Sequence, residues 1–281
     1  MHEEHGSWLK PIADALPANW HGFVDLYVLN AWLVMLVLVV LAWLGTRRRA
    51  RVPDGLQNAW EMYVVFVRNF CVEQIGPGAE KHAPLLGTLF LYILFMNMFG
   101  LVPGFITPTM SINVTAALAL SVFLFVQYSG FAEQGLGYVK HFVGEPIVQY
   151  SPTVGFFLAL PLVVAFHGVL SAVHVVGELA KPLSLAVRLF GNMFGEETAI
   201  FRMAALGALI LPFTYIPIPV QIINVTLHLI IGPIQAFIFF ILSAAYIQMA
   251  THAEGGKEHD EAHGQSEETP EHAPEPAEQA A

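Results

Sequence analysis

The sequence predicts an all-α polytopic membrane protein, and both composition and hydrophobic patterning indicate this class. Of the 281 residues, 56% are hydrophobic and only 12% are charged, and the mean hydropathy is +0.59. Soluble domains carry about 25% charged residues, so we expect this chain to lie largely in lipid. Three stretches of near-span length contain no Lys, Arg, Asp or Glu, namely residues 26–46, 84–102 and 111–130. Each stretch is expected to form one membrane helix.

The basic residues indicate how the first span is oriented. Residues 1–25 hold one basic residue, Lys10, whereas the segment between the first two spans holds six of the twelve in the chain. Positive charge favours the cytoplasmic side, so we expect the N-terminus outside and this loop inside. The run RRRAR at 47–51 follows the apolar stretch and no basic region precedes it. The first span is therefore expected to be retained rather than cleaved as a signal peptide.

The loop after the first span contains LQNAWEMYVVFVRNFCVEQI, which mixes apolar and charged residues. It follows Asp54, a residue type that caps helices. This pattern favours a cytoplasmic helix at the membrane interface, and a buried amphipathic helix is the alternative. Farther along, the uncharged segment VPGFITPTMS at 102–111 predicts a short external turn between the second and third spans.

The C-terminal half allows two topologies. Residues 156–177, 199–220 and 222–250 would each serve as a span, which gives six spans and an external C-terminus. Alternatively, residues 154–211 form one tilted helix that is followed by a second long one, which gives five. A helix of about 58 residues would be about 85 Å long, whereas the hydrocarbon layer is about 30 Å thick. Counting the apolar stretches alone therefore favours six membrane spans.

The composition of the chain changes from apolar to acidic at its C-terminal end. Residues 251–281 contain nine acids, one Lys, four His and three Pro without apolar periodicity. Such a segment is typical of a disordered, solvating tail rather than a metal site. We therefore divide the chain into an external segment 1–25, a membrane domain 26–250 and an acidic His-rich tail 251–281.

Several chemistries are not indicated by the sequence. The single cysteine, Cys71, excludes an internal disulfide and a multi-cysteine zinc site. The chain contains no GxxxxGK[ST], HExxH, GxSxG or GxGxxG motif. We therefore expect no catalytic site of its own, no cofactor, no metal site and no nucleic-acid partner.

Ionisable residues embedded in apolar sequence are the most informative feature. Such residues are costly in hydrocarbon and mark ion paths or contacts with other helices. At 100° per residue, Arg188 shares a helix face with Asn192, whereas Glu197 points the opposite way. An ion pair between Arg188 and Glu197 is therefore not expected. The full set is His167, His174, Glu178, Lys181, Arg188, Glu196, Glu197, Arg202 and His228.

The last apolar segment carries a polar stripe of its own. Gln221, His228 and Gln235 are spaced by seven residues, and Asn224 lies four before His228. Hydrogen bonding between helices is one interpretation of this stripe. A proton or ion path is the other, because Glu197 and His228 change charge at accessible pH.

Two motifs in order resemble a known family. KPLSLAVRLFGNMFGEE at 181–197 and IQAFIFFILSAAYIQMA at 234–250 are similar to subunit a of the F-type ATP synthase. NMFGLVPG at 97–104 and INVT at 112–115 also fit, so the likeness covers residues 20–250. The resemblance implies five spans, the last two long and tilted as a hairpin against the ring of c subunits. It also implies a cytoplasmic tail and an energy-transducing membrane, the bacterial inner membrane.

The resemblance implies a function as well. Subunit a offers two offset half-channels to the ring carboxylates and couples the flow of H⁺ or Na⁺ to rotation and ATP synthesis. Its implied partners are the c-ring, the peripheral-stalk subunit b, the rest of the complex and the lipid bilayer. Arg188 matches the essential arginine between the half-channels, and Glu197 the acidic position of the outer channel. His228 matches the partner of that acid, and Asn192 and Gln235 match polar residues near the arginine.

This chain departs from the family pattern at His174, where some members carry a carboxylate. Arg202 lies outside the pattern, and we interpret it as snorkelling toward the interface. A self-contained secondary ion transporter is the alternative function, but it would predict internal repeats, and the two halves show none. Secondary candidates for the ion path are His174, Glu178, Ser184, Gln221 and Asn224.

Overall fold

The chain folds into seven α-helices within the part that the structure, a computed structural model, describes. That part comprises residues 8–15, 17, 24–47, 54–102, 104–135, 138, 155–214 and 220–251. Within it, only the backbone is described at 155–167, 200–201, 203–204, 206–214, 220–221 and 223–224. These described residues contain no β-strand, which confirms the all-α prediction. The helices are α1 (Lys10–Asp14), α2 (Leu26–Thr46), α3 (Leu56–Ile75), α4 (Ala83–Phe99), α5 (Ile112–Gln134), α6 (Gly155–Thr214) and α7 (Val220–Thr251).

Among the residues that the structure describes, five helical segments are long and apolar enough to cross a membrane, which confirms the five-span topology. The first coincides with the span predicted from the sequence. The second includes a 3₁₀ turn, Ala79–His82, that leads directly into α4. The five segments are Leu26–Thr46, Ala79–Phe99, Ile112–Gln134, Gly168–Ala199 and Val225–Thr251.

The preference for six spans from counting was wrong. Helix α6 runs unbroken for 60 residues, or roughly 90 Å. Counting treated its charged middle as a boundary between two spans, because isolated charges are costly in lipid. In the structure those charges are accommodated along one helix, where Glu178 contacts Lys181 and Glu196 contacts His228 of α7.

Helices α6 and α7 form an antiparallel hairpin. Lys181 lies over the ring of Tyr246, 5.8 Å from its centroid. Farther along α6, Asn192 donates a hydrogen bond to Gln235. Residue numbers thus increase along α6 while those of the contacting residues on α7 decrease, so the two helices are antiparallel.

The core of the molecule lies where α7 packs against α4, α5 and α6. Its largest fully buried side chains include Phe239, Phe240, Leu86 and Ile93. Aromatic rings extend the core toward α3, where the ring centroids of Phe70 and Phe240 are 4.6 Å apart and the rings are tilted by 32°. In a membrane, such rings stabilise the bundle through van der Waals packing between the helices.

Helix α3 lies at the edge of the bundle. Val67, Cys71 and Ile75, at successive four-residue steps, form its buried edge. Met62 and Val65 are exposed, so α3 is not a helix buried on all sides. Its placement at the membrane interface remains a prediction.

The loops and termini separate into two ends of the bundle. At one end, the backbone N–H of Trp8 donates a hydrogen bond of 3.1 Å to the Gly104 carbonyl, which joins the N-terminal segment to the turn between α4 and α5. At the other end, Lys81 contacts Glu133 at 2.6 Å, and Gln134 donates to the Ala250 carbonyl. Residues 1–7, 16 and 18–23 of the predicted external segment and residues 252–281 of the predicted tail lie outside the described residues.

Candidate functional site

Helix α6 presents two different faces. A stripe at helical spacing is buried against α5 and α7: Glu178, Leu185, Leu189, Met193 and Glu196. On the other side, the side chains of Val173, Val176, Leu183, Val187 and Phe194 are exposed. We call this second set the exposed face of α6. Its composition is apolar, as expected for a surface that contacts lipid or another membrane helix.

Arg188 lies at one edge of the exposed face. Its side chain is exposed, and no ion pair of Arg188 occurs among the described residues. Ser184 and His174 are exposed on the same helix. Beside Arg188, a Cβ added at Gly191 or Gly195 would meet nothing within 4 Å. The guanidinium is therefore flanked by open space in which a second helix can approach.

One turn from Arg188, a hydrogen bond joins the two helices of the hairpin. The Asn192 amide donates to Gln235 Oε1, and the Gln235 side chain is buried. This contact brings together two predicted site residues that lie far apart in sequence. It fixes the position of α7 relative to the segment of α6 that carries Arg188.

A buried carboxylate–imidazole pair lies farther along the hairpin. His228 Nδ1 lies 2.9 Å from Glu196 Oε1, and the two side chains are 10% and 2% exposed. Both carboxylate oxygens of Glu196 are buried, and neither makes a hydrogen bond of regular geometry among the described residues, so the 2.9 Å approach of Oε1 to Nδ1 is an ion-pair contact. A buried carboxylate and imidazole in contact can share and transfer a proton.

The other nitrogen of His228 is held by α4. Nε2 lies 2.7 Å from the backbone carbonyl oxygen of Asn97. The Asn97 side chain in turn donates to the Gly232 carbonyl at 3.0 Å and accepts from the Thr109 hydroxyl at 2.8 Å. This network anchors the imidazole between α4, α7 and the 3₁₀ turn Pro108–Met110.

Glu197 lies on the opposite edge of the exposed face from Arg188, as the helical spacing predicted. Its side chain is exposed, and it is close enough to act electrostatically on His228 and on Tyr27 of α2. The carboxylate that contacts His228 is instead its neighbour Glu196. The two consecutive acids therefore have different surroundings.

The remaining candidates are Glu178, Gln221 and Asn224. Glu178 is buried and contacts Lys181 one turn away on the same helix. The side chains of Gln221 and Asn224 lie outside the described residues.

Sequence reasoning did not single out Glu196, Asn97 and Thr109 as site residues. The signal for Glu196 was present, because it continues the Leu185–Leu189–Met193 spacing that forms the buried stripe. No comparable signal marks Asn97 and Thr109, since their role depends on how α4 and the 3₁₀ turn pack on α7.

Comparison with known proteins gives a consistent result. The model of the ATP synthase A chain family matches residues 28–248. ATP synthase subunit a 1 of Syntrophotalea carbinolica is 40% identical over 227 residues, which cover 81% of this chain and 86% of that protein. ATP synthase subunit a of Citrifermentans bemidjiense is 39% identical over 221 residues, or 79% and 85% of the two chains. That of Protochlamydia amoebophila is 35% identical over 244 residues, or 85% and 86%.

Proposed function

This chain belongs to the ATP synthase A chain family, and on that premise we propose that it is the proton-translocating stator subunit in the membrane sector of an F-type ATP synthase. In this role it offers two offset half-channels to carboxylates on a ring of c subunits. Ion flow through the half-channels turns the ring and drives ATP synthesis in the catalytic head. The peripheral-stalk subunit b holds the chain still against the ring.

The position of Arg188 is the observation that carries the proposal. An arginine on an apolar, membrane-embedded face is costly unless a partner or water meets it. The described part of the chain supplies no ion-pair partner, whereas open space at Gly191 and Gly195 gives room for another helix. A carboxylate on the ring fits that space and that charge.

The chemistry of arginine suits a barrier between half-channels. Its positive charge favours the ionised form of a passing carboxylate, which helps that carboxylate release its proton. Because arginine keeps its charge even when buried, it also blocks a proton from passing straight through. Asn192, bonded to Gln235, supports the helix segment that carries Arg188.

Glu197 and His228 are proposed to serve the half-channel that opens on the outer side. His228 is anchored by Asn97 and the turn that contains Thr109, close to the loop that joins α4 to α5. The basic residues Arg68 and Lys81 belong to the preceding loop, which leads to the opposite end. Positive charge favours the cytoplasm, so this polar network would lie near the outer surface.

The same reasoning gives the location of the protein. The relatives named above come from bacteria, which supports a bacterial inner membrane. The N-terminus would lie outside and the C-terminus in the cytoplasm. One charge crossing 100 mV releases about 2.3 kcal/mol, so several must cross for each ATP made.

Reconstitution tests this function against a self-contained ion transporter. The purified chain and the complete complex would be placed separately in liposomes, and proton flux would be recorded under an imposed membrane potential. We expect flux through the complex with its catalytic head removed and none through the chain alone, because half of the path lies on the ring. Potential-driven flux through the isolated chain would favour the transporter.

A further inference from the structure

We propose that Glu196 and His228 exchange the translocated proton directly through the Oε1–Nδ1 contact, an inference that rests on the function proposed above. Glu196 would then be a relay residue in addition to Glu197. The contact distance is 2.9 Å, and both side chains are largely removed from solvent.

The hydrogen bond to α4 determines which nitrogen of His228 exchanges. A backbone carbonyl oxygen can only accept, so Nε2, 2.7 Å from the Asn97 oxygen, must carry a hydrogen in either charge state of the ring. The imidazole can therefore gain or lose a proton only at Nδ1. That atom faces Glu196.

The transfer keeps the pair neutral. When Glu196 is protonated, His228 is a neutral imidazole with its hydrogen on Nε2. Transfer breaks the O–H bond at Oε1 and forms the N–H bond at Nδ1, which leaves a carboxylate and an imidazolium. Both arrangements hold one exchangeable proton and no net charge, and this is favourable in a buried site where an unpaired charge is costly.

The second carboxylate oxygen of Glu196, Oε2, is the atom through which a proton reaches the pair. Both carboxylate oxygens are buried without a hydrogen bond of regular geometry among the described residues, and Oε1 is the one in contact with Nδ1. Because His228 exchanges only at Nδ1, the proton both enters and leaves the pair through this carboxylate: Oε2 takes it up and releases it, while Oε1 exchanges it reversibly with the imidazole.

Glu197 does not satisfy the same geometry. It lies off the buried stripe and is exposed, whereas Glu196 is buried against α7. The charged groups that act on His228 are Glu196 and Glu197, both of α6, and α4 contributes the neutral Asn97. A purely structural ion pair between α6 and α7 is the competing role for Glu196.

The test uses the whole complex in inverted vesicles with Na⁺-free buffer. Passive proton conductance after removal of the catalytic head would be measured for wild type, Glu196→Gln and Thr198→Ala. Glutamine keeps the size of Glu196 but cannot take up or release a proton at accessible pH, so we expect conductance to fall at least tenfold in an assembled complex. Thr198→Ala is the matched control, because that hydroxyl bonds to the Phe194 carbonyl of its own helix. Wild-type conductance in Glu196→Gln would overturn the proposal.

A second variant keeps the test decisive if Glu196→Gln fails to assemble. Glu196→Asp retains a titratable group but lengthens the distance to Nδ1. We expect it to conduct, with a displaced midpoint of conductance against pH. A curve identical to wild type would mean that the carboxylate does not exchange the proton.

Arg188→Ala separates the two proposals. Normal conductance in Glu196→Gln together with lost ATP-driven pumping in Arg188→Ala would remove the Glu196 relay and leave the proposed function in place. Normal behaviour of both variants would remove both.

Discussion

At the scale of single residues, Gly232 shows how closely the site is packed. A Cβ at this position would lie 2.5 Å from Met98 Cε and 3.3 Å from Asn97 Cβ. We expect Gly232→Ala to destabilise the subunit by about 1 kcal/mol, because the Met98 side chain would have to move and Asn97 would have to give way slightly. Unfolding of the detergent-solubilised complex would measure this loss. Gly177→Ala, where a Cβ meets nothing within 4 Å, is the control and should be neutral or slightly stabilising.

Cys71 gives a second prediction at this scale. Burial raises the pKa of its thiol to about 11, and the side chain is fully enclosed between α3 and the core. About one thiol in a thousand would be ionised at pH 8, so maleimide labelling of the native protein should be very slow. Labelling should reach the rate of a free thiol after denaturation. Rapid labelling of the native protein would contradict the packing of α3 against the bundle.

The residues of the site were predictable to different degrees. Helical spacing from Arg188 correctly put Asn192 near it and Glu197 on another side. The Asn192–Gln235 bond joins two residues that the family resemblance had named, although spacing alone did not pair them. The choice between Glu196 and Glu197 as the contact of His228 depends on how α6 turns against α7, and this is a tertiary property.

At the scale of elements, the antiparallel register of α6 and α7 can be tested by cross-linking. In a Cys71→Ser background, Asn192→Cys and Gln235→Cys should be joined by a short bis-maleimide, because the native side chains are hydrogen-bonded. Leu183→Cys paired with Gln235→Cys is the control. Leu183 lies on the exposed face and nine residues away from Asn192, about 14 Å along the helix. Equal cross-linking of both pairs would contradict the register.

The elements differ in how far local sequence determines them. The span Leu26–Thr46 was predicted to the residue, because uninterrupted apolar sequence leaves no other choice in lipid. Helix α6 was not, since its charged middle resembles a loop until partners on the same helix and on α7 are known. The family resemblance, rather than periodicity, supplied the correct number of spans.

At the scale of the whole molecule, the exposed face of α6 should be the surface that meets the ring. Gly191 lies on the side of that face toward Arg188, and a Cβ added there would meet nothing within 4 Å. We therefore expect Gly191→Leu to leave the fold of the subunit intact but to reduce ATP-driven pumping by tenfold or more, because leucine would hold the ring away. Gly168→Leu is the control, since that position is equally open but points about 140° away from Gly191 on the helical wheel. Equal pumping by both variants would contradict the assignment.

Replacing Arg188 is the most direct test of the proposed ion path. ATP-driven proton pumping in inverted vesicles would be compared between wild type and Arg188→Ala, after assembly of the complex has been verified. We expect pumping to be lost, and a passive proton leak to remain once the catalytic head is removed, because the barrier between the half-channels is gone. Unchanged pumping with no leak would mean that Arg188 is a structural charge and would contradict the proposed path.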